Sequence, residues 1–209
     1  MRFISLLSSG IDSPVATYLL SKKAEKIILV HADGRPFSDE NEYNNFVSLA
    51  KHLKKHINCI VKIFVVNHGS ALYKYRQSGN IRFTCVFCKR MLLRYAKKFA
   101  DKENAKAIIM GDSLGQVASQ TLQNMKVIDQ VIDIPVLRPL IGLDKEDIIR
   151  IAKNIGTYDL SIQKSIGCTA VPRKPATKAK LEDVIFEERK IDVDEIAKQL
   201  VSEAELISR

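Results

Sequence analysis

No stretch of this 209-residue chain approaches the ~20 consecutive apolar residues that span a bilayer. The amino-terminal segment also lacks the succession of charge, long apolar core and small-residue cleavage site of a signal peptide, so the expected compartment is the cytoplasm, with no membrane partner. Acidic residues are in deficit: 24 Asp and Glu against 33 Lys and Arg leave a formal net charge of +9. That excess favours a polyanionic partner, because each lysine or arginine that neutralises a phosphate releases a counterion. The basic runs Lys51–Lys55, Arg94–Lys98 and Arg173–Lys180 serve equally well as solvated faces, so the inference rests on their sum. Cysteine is scarce, at Cys59, Cys85, Cys88 and Cys168 alone. In a reducing compartment the Cys85-x-x-Cys88 pair reads as metal or redox chemistry rather than a structural disulfide. Repeats, low-complexity tracts and linkers rich in Gly, Ser or Pro are all missing. With 46% hydrophobic and 27% charged residues, one large α/β domain over 1–209 is expected, its residues 177–209 forming a helical extension packed on the rest.

What is present is concentrated at the front of the chain. Phe3–Leu7 is an apolar run of strand length, followed by the small residues Ser8, Ser9 and Gly10 and by an apolar-periodic segment opened by Asp12, Ser13 and Pro14. Small residues let backbone N–H groups approach an anion, and a helix starting near Pro14 aims its positive end at the same point. A phosphate fits there, although the same residues also describe an ordinary βα turn with a Ser/Asp cap. The GKS or GKT ending of a Walker loop is absent.

Further strands are expected at Ile27–His31, Cys59–Val66, Ala107–Met110 and Val131–Leu137, where Pro135 suggests an edge or irregular position. Helices are expected from a Ser38 cap to about His56, over Ala71–Arg76, Cys85–Phe99 and Leu114–Met125, from an Asp144 cap to Ile155 with a stop at Gly156, and over Asp192–Ile207. Five alternations of strand and helix predict a doubly wound parallel sheet of about five strands in three layers. The ligand then sits at the carboxyl ends of the strands, among Ser8–Ser13, His31–Phe37, Gly111–Gly115 and Arg138–Lys145.

The order Ser8-Ser-Gly-Ile-Asp-Ser13 closely resembles the SGGxDS pyrophosphate loop (PP-loop) of enzymes that cleave ATP between its α and β phosphates. Ser9 stands where that pattern has a glycine, so the backbone there must avoid a conformation that only glycine tolerates. Gly111–Leu122 (GDSLGQVASQTL), Pro135–Ile141 (PVLRPLI), Asp144–Ile149 (DKEDII), Ile155–Tyr158 (IGTY), Ser161-Ile162 and Cys168 ahead of Pro175-Ala-Thr177 continue the likeness. Together they resemble the catalytic domain of the tRNA 4-thiouridine synthetases, the ThiI family, a branch of the PP-loop ATP pyrophosphatases with an adenine nucleotide alpha-hydrolase-like (HUP) fold.

That resemblance implies an ATP-dependent tRNA sulfurtransferase, which adenylates O4 of a uridine near position 8 and replaces the adenylate with sulfur to leave 4-thiouridine. It implies nucleotide contacts at Leu6, Leu7, Ser8, Ser9, Gly10, Asp12, Ser13, His31, Ala32, Gly111 and Gln120, and at Lys89 with Arg90 as the alternative. Asp12 would act through Mg²⁺, and Lys145 would stabilise charge on the α-phosphate, though the same DKED run reads as a plain helix start. Gln116, Ser119 and Gln120 would share a helix face turned to the nucleotide or to solvent. Cys168 occupies the family's sulfur-handling position, and with Cys85 and Cys88 the chain resembles the three-cysteine archaeal-type branch. Three thiolates suit a 4Fe–4S cluster with one iron open to hydrosulfide, structural zinc being the lesser alternative. Cys59 reads as core, and His52, His56 and His68 show no metal-ligand spacing.

Neither the RNA-binding THUMP domain of family members nor an appended rhodanese domain is expected here. The anticipated partners are therefore tRNA, a sulfur donor (hydrosulfide or a persulfide carrier), and a separate THUMP-bearing protein or a second copy of the chain. Two other readings remain at this point: a PP-loop sulfurtransferase or ATP pyrophosphatase acting on another acceptor, and a nonenzymatic ATP-binding, metal-sensing module.

Overall fold

The computed structural model describes residues 1–208, so residue 209, the last of the expected unit, lies outside the described residues. Its centre is a six-stranded sheet in the order β5-β4-β1-β2-β3-β6. The strands are β1 (Arg2–Leu6), β2 (Lys26–Asp33), β3 (Ile60–Asn67), β4 (Ala107–Ile109), β5 (Val136–Leu137) and β6 (Glu205–Ser208). β1 to β5 run parallel, with Ile4 opposite Ile28 and Ile108, while β6 lies antiparallel to β3 with Leu206 opposite Phe64.

Nine α-helices cover the faces: α1 (Asp12–Ser21), α2 (Glu40–His56), α3 (His68–Ser78), α4 (Thr84–Glu103), α5 (Leu122–Asp129), α6 (Lys145–Asn154), α7 (Tyr158–Ser161), α8 (Leu181–Glu188) and α9 (Val193–Ser202), counted among the described residues. Because side chains alternate along a strand, the two faces take different residues. Ile4, Leu6, Ile28, Val30 and Ile108 meet Leu72, Tyr75, Phe87, Met91, Tyr95 and Phe99 of α3 and α4 on one side, with Ile196 and Leu200 of α9. Phe3, Ile27, Leu29, Ile63 and Ile109 meet Val15, Phe46, Leu53, Ile148 and Ala152 of α1, α2 and α6 on the other. Burying each large apolar side chain contributes about 1.5–3 kcal/mol, so the inner strands, apolar on both faces, carry most of the stabilisation.

The expected three-layer doubly wound sheet is therefore present, with four local corrections. The helix expected over Asp192–Ile207 ends at Ser202, where Glu203 N–H bonds to the Gln199 and Val201 carbonyls, and the chain turns back as β6. That sixth strand satisfies the outer edge of β3, which periodicity alone does not reveal. The helix expected over Leu114–Met125 is displaced: Gly115 adopts a φ of +75°, a short 3₁₀ turn covers Ala118–Gln120, and α5 starts only at Leu122, capped by Thr121. The strand expected over Val131–Leu137 shrinks to Val136–Leu137 after Pro135, at the opposite sheet edge. Asp39 rather than Ser38 caps α2, its carboxylate accepting from Glu42 N–H at 3.1 Å.

Candidate nucleotide and sulfur site

The carboxyl ends of β1, β2 and β4 open into a cleft of about 490 Å³ lined by residues 6–13, His31, Ala32, Glu42, His68, Cys88, Lys89, Gly111, Asp112, Gln120 and Cys168. Its floor is the β1–α1 turn. α1 begins at Asp12, and the flanking Ile11 offers no side-chain cap. The serines do not cap the helix either. Ser13 Oγ accepts from Ser8 N–H at 2.9 Å and lies 3.0 Å from Ser8 Oγ, closing the turn on itself. Uncapped N–H groups at a helix start form an anion site, so the local geometry departs from an ordinary capped turn and matches a phosphate cradle. Beneath it, Ser5 Oγ and Thr17 Oγ1 lie 2.7 Å apart in the buried interior, tying β1 to α1. Ser9 sits without backbone strain: among the described residues Asn104 is the one non-glycine with positive φ.

Gly111 brings the end of β4 against this turn. A Cβ there would stand 2.6 Å from Ser13 N and 2.7 Å from Ser13 Cα, backbone atoms that cannot move aside cheaply, so the close approach requires glycine. Lys145, first residue of α6, reaches across to Asp12 with Nζ 2.5 Å from Oδ1. It is thus more than a helix start, although Asp144 makes no side-chain cap.

Asp112 forms the opposite wall. Buried to 3% exposure, it takes Lys89 on Oδ1, Gln120 Nε2 at 3.4 Å and Arg138 Nε at 3.0 Å. Burial alone would raise its carboxyl pKa, but Lys89 and Arg138 outweigh it and hold the group below the usual aspartate value. Arg138 in turn holds Asp129 through two bonds of 2.8 and 2.6 Å. Of the alternatives Lys89 and Arg90, Lys89 faces the cleft, whereas Arg90 is committed to Glu188 on α8. Of the three polar residues expected on one helix face, only Gln120 lines the cleft. Gln116 is exposed on the loop and Ser119 is buried outside the cleft lining.

His31 is 2% exposed and stacks on Phe46 with ring centroids 3.8 Å apart. Its Nδ1 bonds to the Leu7 carbonyl at 3.0 Å, which fixes Nδ1 as the protonated nitrogen, and its buried Nε2 has no hydrogen-bond partner.

Two of the cysteines belong to the same cleft. Cys85 and Cys88 lie three residues apart at the start of α4, and Cys88 and the exposed Cys168 both line the cleft. Cys88 Sγ lies 3.1 Å from His68 Nε2, whose Nδ1 lies 3.2 Å from Tyr95 Oη. Burial, with Cys168 and Cys85 adding to it, pushes the Cys88 thiol up to about 12, and burial followed by Cys168 raises that of Cys85. Of the three, Cys85 is not among the residues that line the cleft. Among the described residues, no three His, Cys, Asp or Glu side chains are gathered into a ready metal site. The donor chemistry still fits, since cysteine sulfur suits iron or zinc, and a bound cation would favour the thiolate forms that burial, the largest cause, disfavours at Cys85 and Cys88. Cys59 packs against the other face of the sheet, as core.

Glu42 and His68 are site residues that sequence reasoning did not select. Asp112 fell within the expected Gly111–Gly115 loop at a strand carboxyl end, but with no role of its own. Glu42 reads as helix-start acidity and His68 as an isolated histidine, so neither carried a signal.

Comparison with known proteins agrees with this geometry. A family model described as "Thiamine biosynthesis protein (ThiI)" matches residues 1–193. Relatives named "Probable tRNA sulfurtransferase" include one from Methanothermobacter thermautotrophicus, 41% identical over 93% of this chain and 50% of its own length. Another, from Moorella thermoacetica, is 38% identical over 99% of this chain and 53% of its own length. The chain thus spans about half the length of the curated relatives it matches. A crystal structure of a 4-thiouridine synthetase–RNA complex with bound ATP superposes with a TM-score of 0.92 at 30% identity, covering 99% of this chain and 55% of that one. The NMN synthetase of Francisella tularensis, at 14% identity and a TM-score of 0.58, shares the fold alone.

A mostly parallel α/β sheet with an uncapped, serine-lined turn at its first helix defines a protein of the PP-loop ATP pyrophosphatase type. Within that class the breadth of the match decides the branch: the chain belongs to the ThiI family.

Proposed function

We propose that this chain is the catalytic unit of an ATP-dependent tRNA 4-thiouridine synthetase. The observation that carries the reading is the meeting, in one cleft, of an uncapped phosphate turn, the Lys145–Asp12 pair and two cysteines. The triphosphate of ATP occupies the turn between Ser8 and Ser13, held by N–H groups at the start of α1. The uridine O4 attacks the α-phosphate and pyrophosphate leaves, so the base is activated as its adenylate. Lys145 parts from Asp12 and stabilises the charge that grows on the α-phosphate oxygens. Asp12, freed, is the carboxylate suited to Mg²⁺, which binds through one or two carboxylates and substrate phosphates and would offset the charge of the leaving pyrophosphate. Lys89, positioned by Asp112, adds a second cation at the wall.

A sulfur nucleophile then displaces AMP at C4. Cys85, Cys88 and Cys168 would hold a 4Fe–4S cluster, which when bound would supply an open iron for sulfide. The exposure of Cys168 gives an incoming sulfur donor access to the cleft. The net charge of +9 supplies attraction for tRNA.

The test is to incubate the chain with ATP, a sulfide source and unmodified tRNA, quantifying AMP and pyrophosphate together with 4-thiouridine by nucleoside mass spectrometry. RNA-dependent AMP and one thiolated uridine are expected. AMP formation indifferent to RNA would point to another acceptor, and ATP bound but never cleaved would leave a sensor module.

A further inference from the structure

The Ser9 hydroxyl donates to Glu42 Oε1 at 3.0 Å, linking the phosphate turn to the first turn of α2, 33 residues away in sequence. The other carboxylate oxygen of Glu42 lies 3.6 Å from His31 Nε2, while His31 Nδ1 donates to the Leu7 carbonyl at the end of β1. The three side chains thus form a chain from the phosphate turn to α2, to β2, and back to the backbone just before the turn. All three line the cleft, and the His31 ring is locked by stacking on Phe46. The backbone of Glu42 is fixed, because its N–H is held by the Asp39 cap, and its carboxylate is held by Ser9.

A carboxylate at the wall of an anion site repels a polyphosphate unless its charge is engaged. Here the hydroxyl of Ser9 is the group that engages it, since His31 Nε2 makes no hydrogen bond to the other oxygen. We infer that Glu42 is a positioning residue: through Ser9 it sets the phosphate turn for the pyrophosphate moiety of ATP, so that serine at position 9 is a working part of this loop. The inference rests on the proposed ATP chemistry.

It makes an unexpected demand on Ser9→Gly, the change that would match the SGGxDS pattern. Instead of improving the loop, that change leaves Glu42 without its donor and frees the turn, because a hydrogen bond to a charged group is lost. Equilibrium binding of ATP and of AMP, which lacks the pyrophosphate, is measured for the wild-type chain, Ser9→Gly, Glu42→Gln and the double variant, each checked for an unchanged unfolding temperature. Ser9→Ala replaces Ser9→Gly if the glycine loosens the fold. The expected result is ATP binding about tenfold weaker in Ser9→Gly, with AMP binding shifted less than about threefold. In the Glu42→Gln background, where no charge awaits pairing, the same change costs ATP binding less than about threefold. Equal effects of Ser9→Gly in both backgrounds, equal effects on ATP and AMP, or tighter ATP binding by Ser9→Gly would each overturn the inference while leaving the ATP chemistry standing. Failure of the wild-type chain to bind ATP would instead sink the proposed function and this inference together.

Discussion

Glu188 on α8 is gripped by two guanidinium groups from consecutive turns of α4. Arg90 donates to its oxygens at 2.8 and 2.9 Å and Arg94 at 2.9 and 2.8 Å, and Arg90 also reaches the Val127 carbonyl at 2.6 Å. Their side chains are 4%, 11% and 5% exposed for Arg90, Arg94 and Glu188, so solvent screens little of the interaction. Removing one partner of a buried pair costs about 3–5 kcal/mol, because it strands the other charge. Glu188→Ala strands the buried Arg90 and leaves Arg94 only its longer contact with Asp194 at 3.4 Å, both on the helix that carries Cys85, Cys88 and Lys89. In a domain of this size each kcal/mol moves Tm by about 2–4 °C, so a fall of about 6–20 °C is expected in thermal unfolding followed by circular dichroism. Glu188→Gln, which keeps an acceptor, falls less.

The sign of the pH dependence follows from the same contacts. Burial raises the Glu188 pKa, but Arg90 and Arg94 outweigh it and hold the carboxyl below its usual value of 4.5. A group depressed in the folded state contributes stability above its unfolded pKa and loses it as pH falls through the folded value. The wild-type chain should therefore lose Tm steadily below about pH 4.5, and Glu188→Gln should show a flatter acid limb. A Glu188→Ala Tm within about 2 °C of wild type, or an acid limb unchanged in Glu188→Gln, would refute the assignment.

Gly111→Ala drives a Cβ to 2.6 Å from the Ser13 amide nitrogen, so calorimetry should show a loss of about 1–3 kcal/mol and titration a marked loss of ATP affinity. Lys145→Met should lower the rate of AMP formation about a hundredfold while changing ATP affinity little; an equal loss in both would make the lysine a ground-state binding residue. After anaerobic reconstitution, iron and visible absorbance should be present in the wild-type chain and fall in Cys85→Ser, Cys88→Ser and Cys168→Ser, whereas zinc without iron would exclude the cluster.

Amino-acid order alone was enough for the parallel core, because strands buried on both faces read as unbroken apolar runs such as Ile27–Val30. It located the turn between β1 and α1 as well, but the same small residues also describe an ordinary capped turn, and that the helix start is left without a side-chain cap depends on the fold of the turn, in which Ser13 Oγ takes the Ser8 N–H. Tertiary structure decided what depends on residues distant in the chain. The edge of β3 recruits β6, pairing Phe64 with Leu206, 142 positions further along the chain. Asp112 becomes a wall only because Lys89 from α4 and Arg138 from the end of β5 converge on it. Ser9, a departure when read in line, acquires its partner Glu42 only when α2 folds beside the turn. Local pattern reports which face a residue buries, while the pairing of charges and edges is set by the packing of segments that the pattern treats as independent.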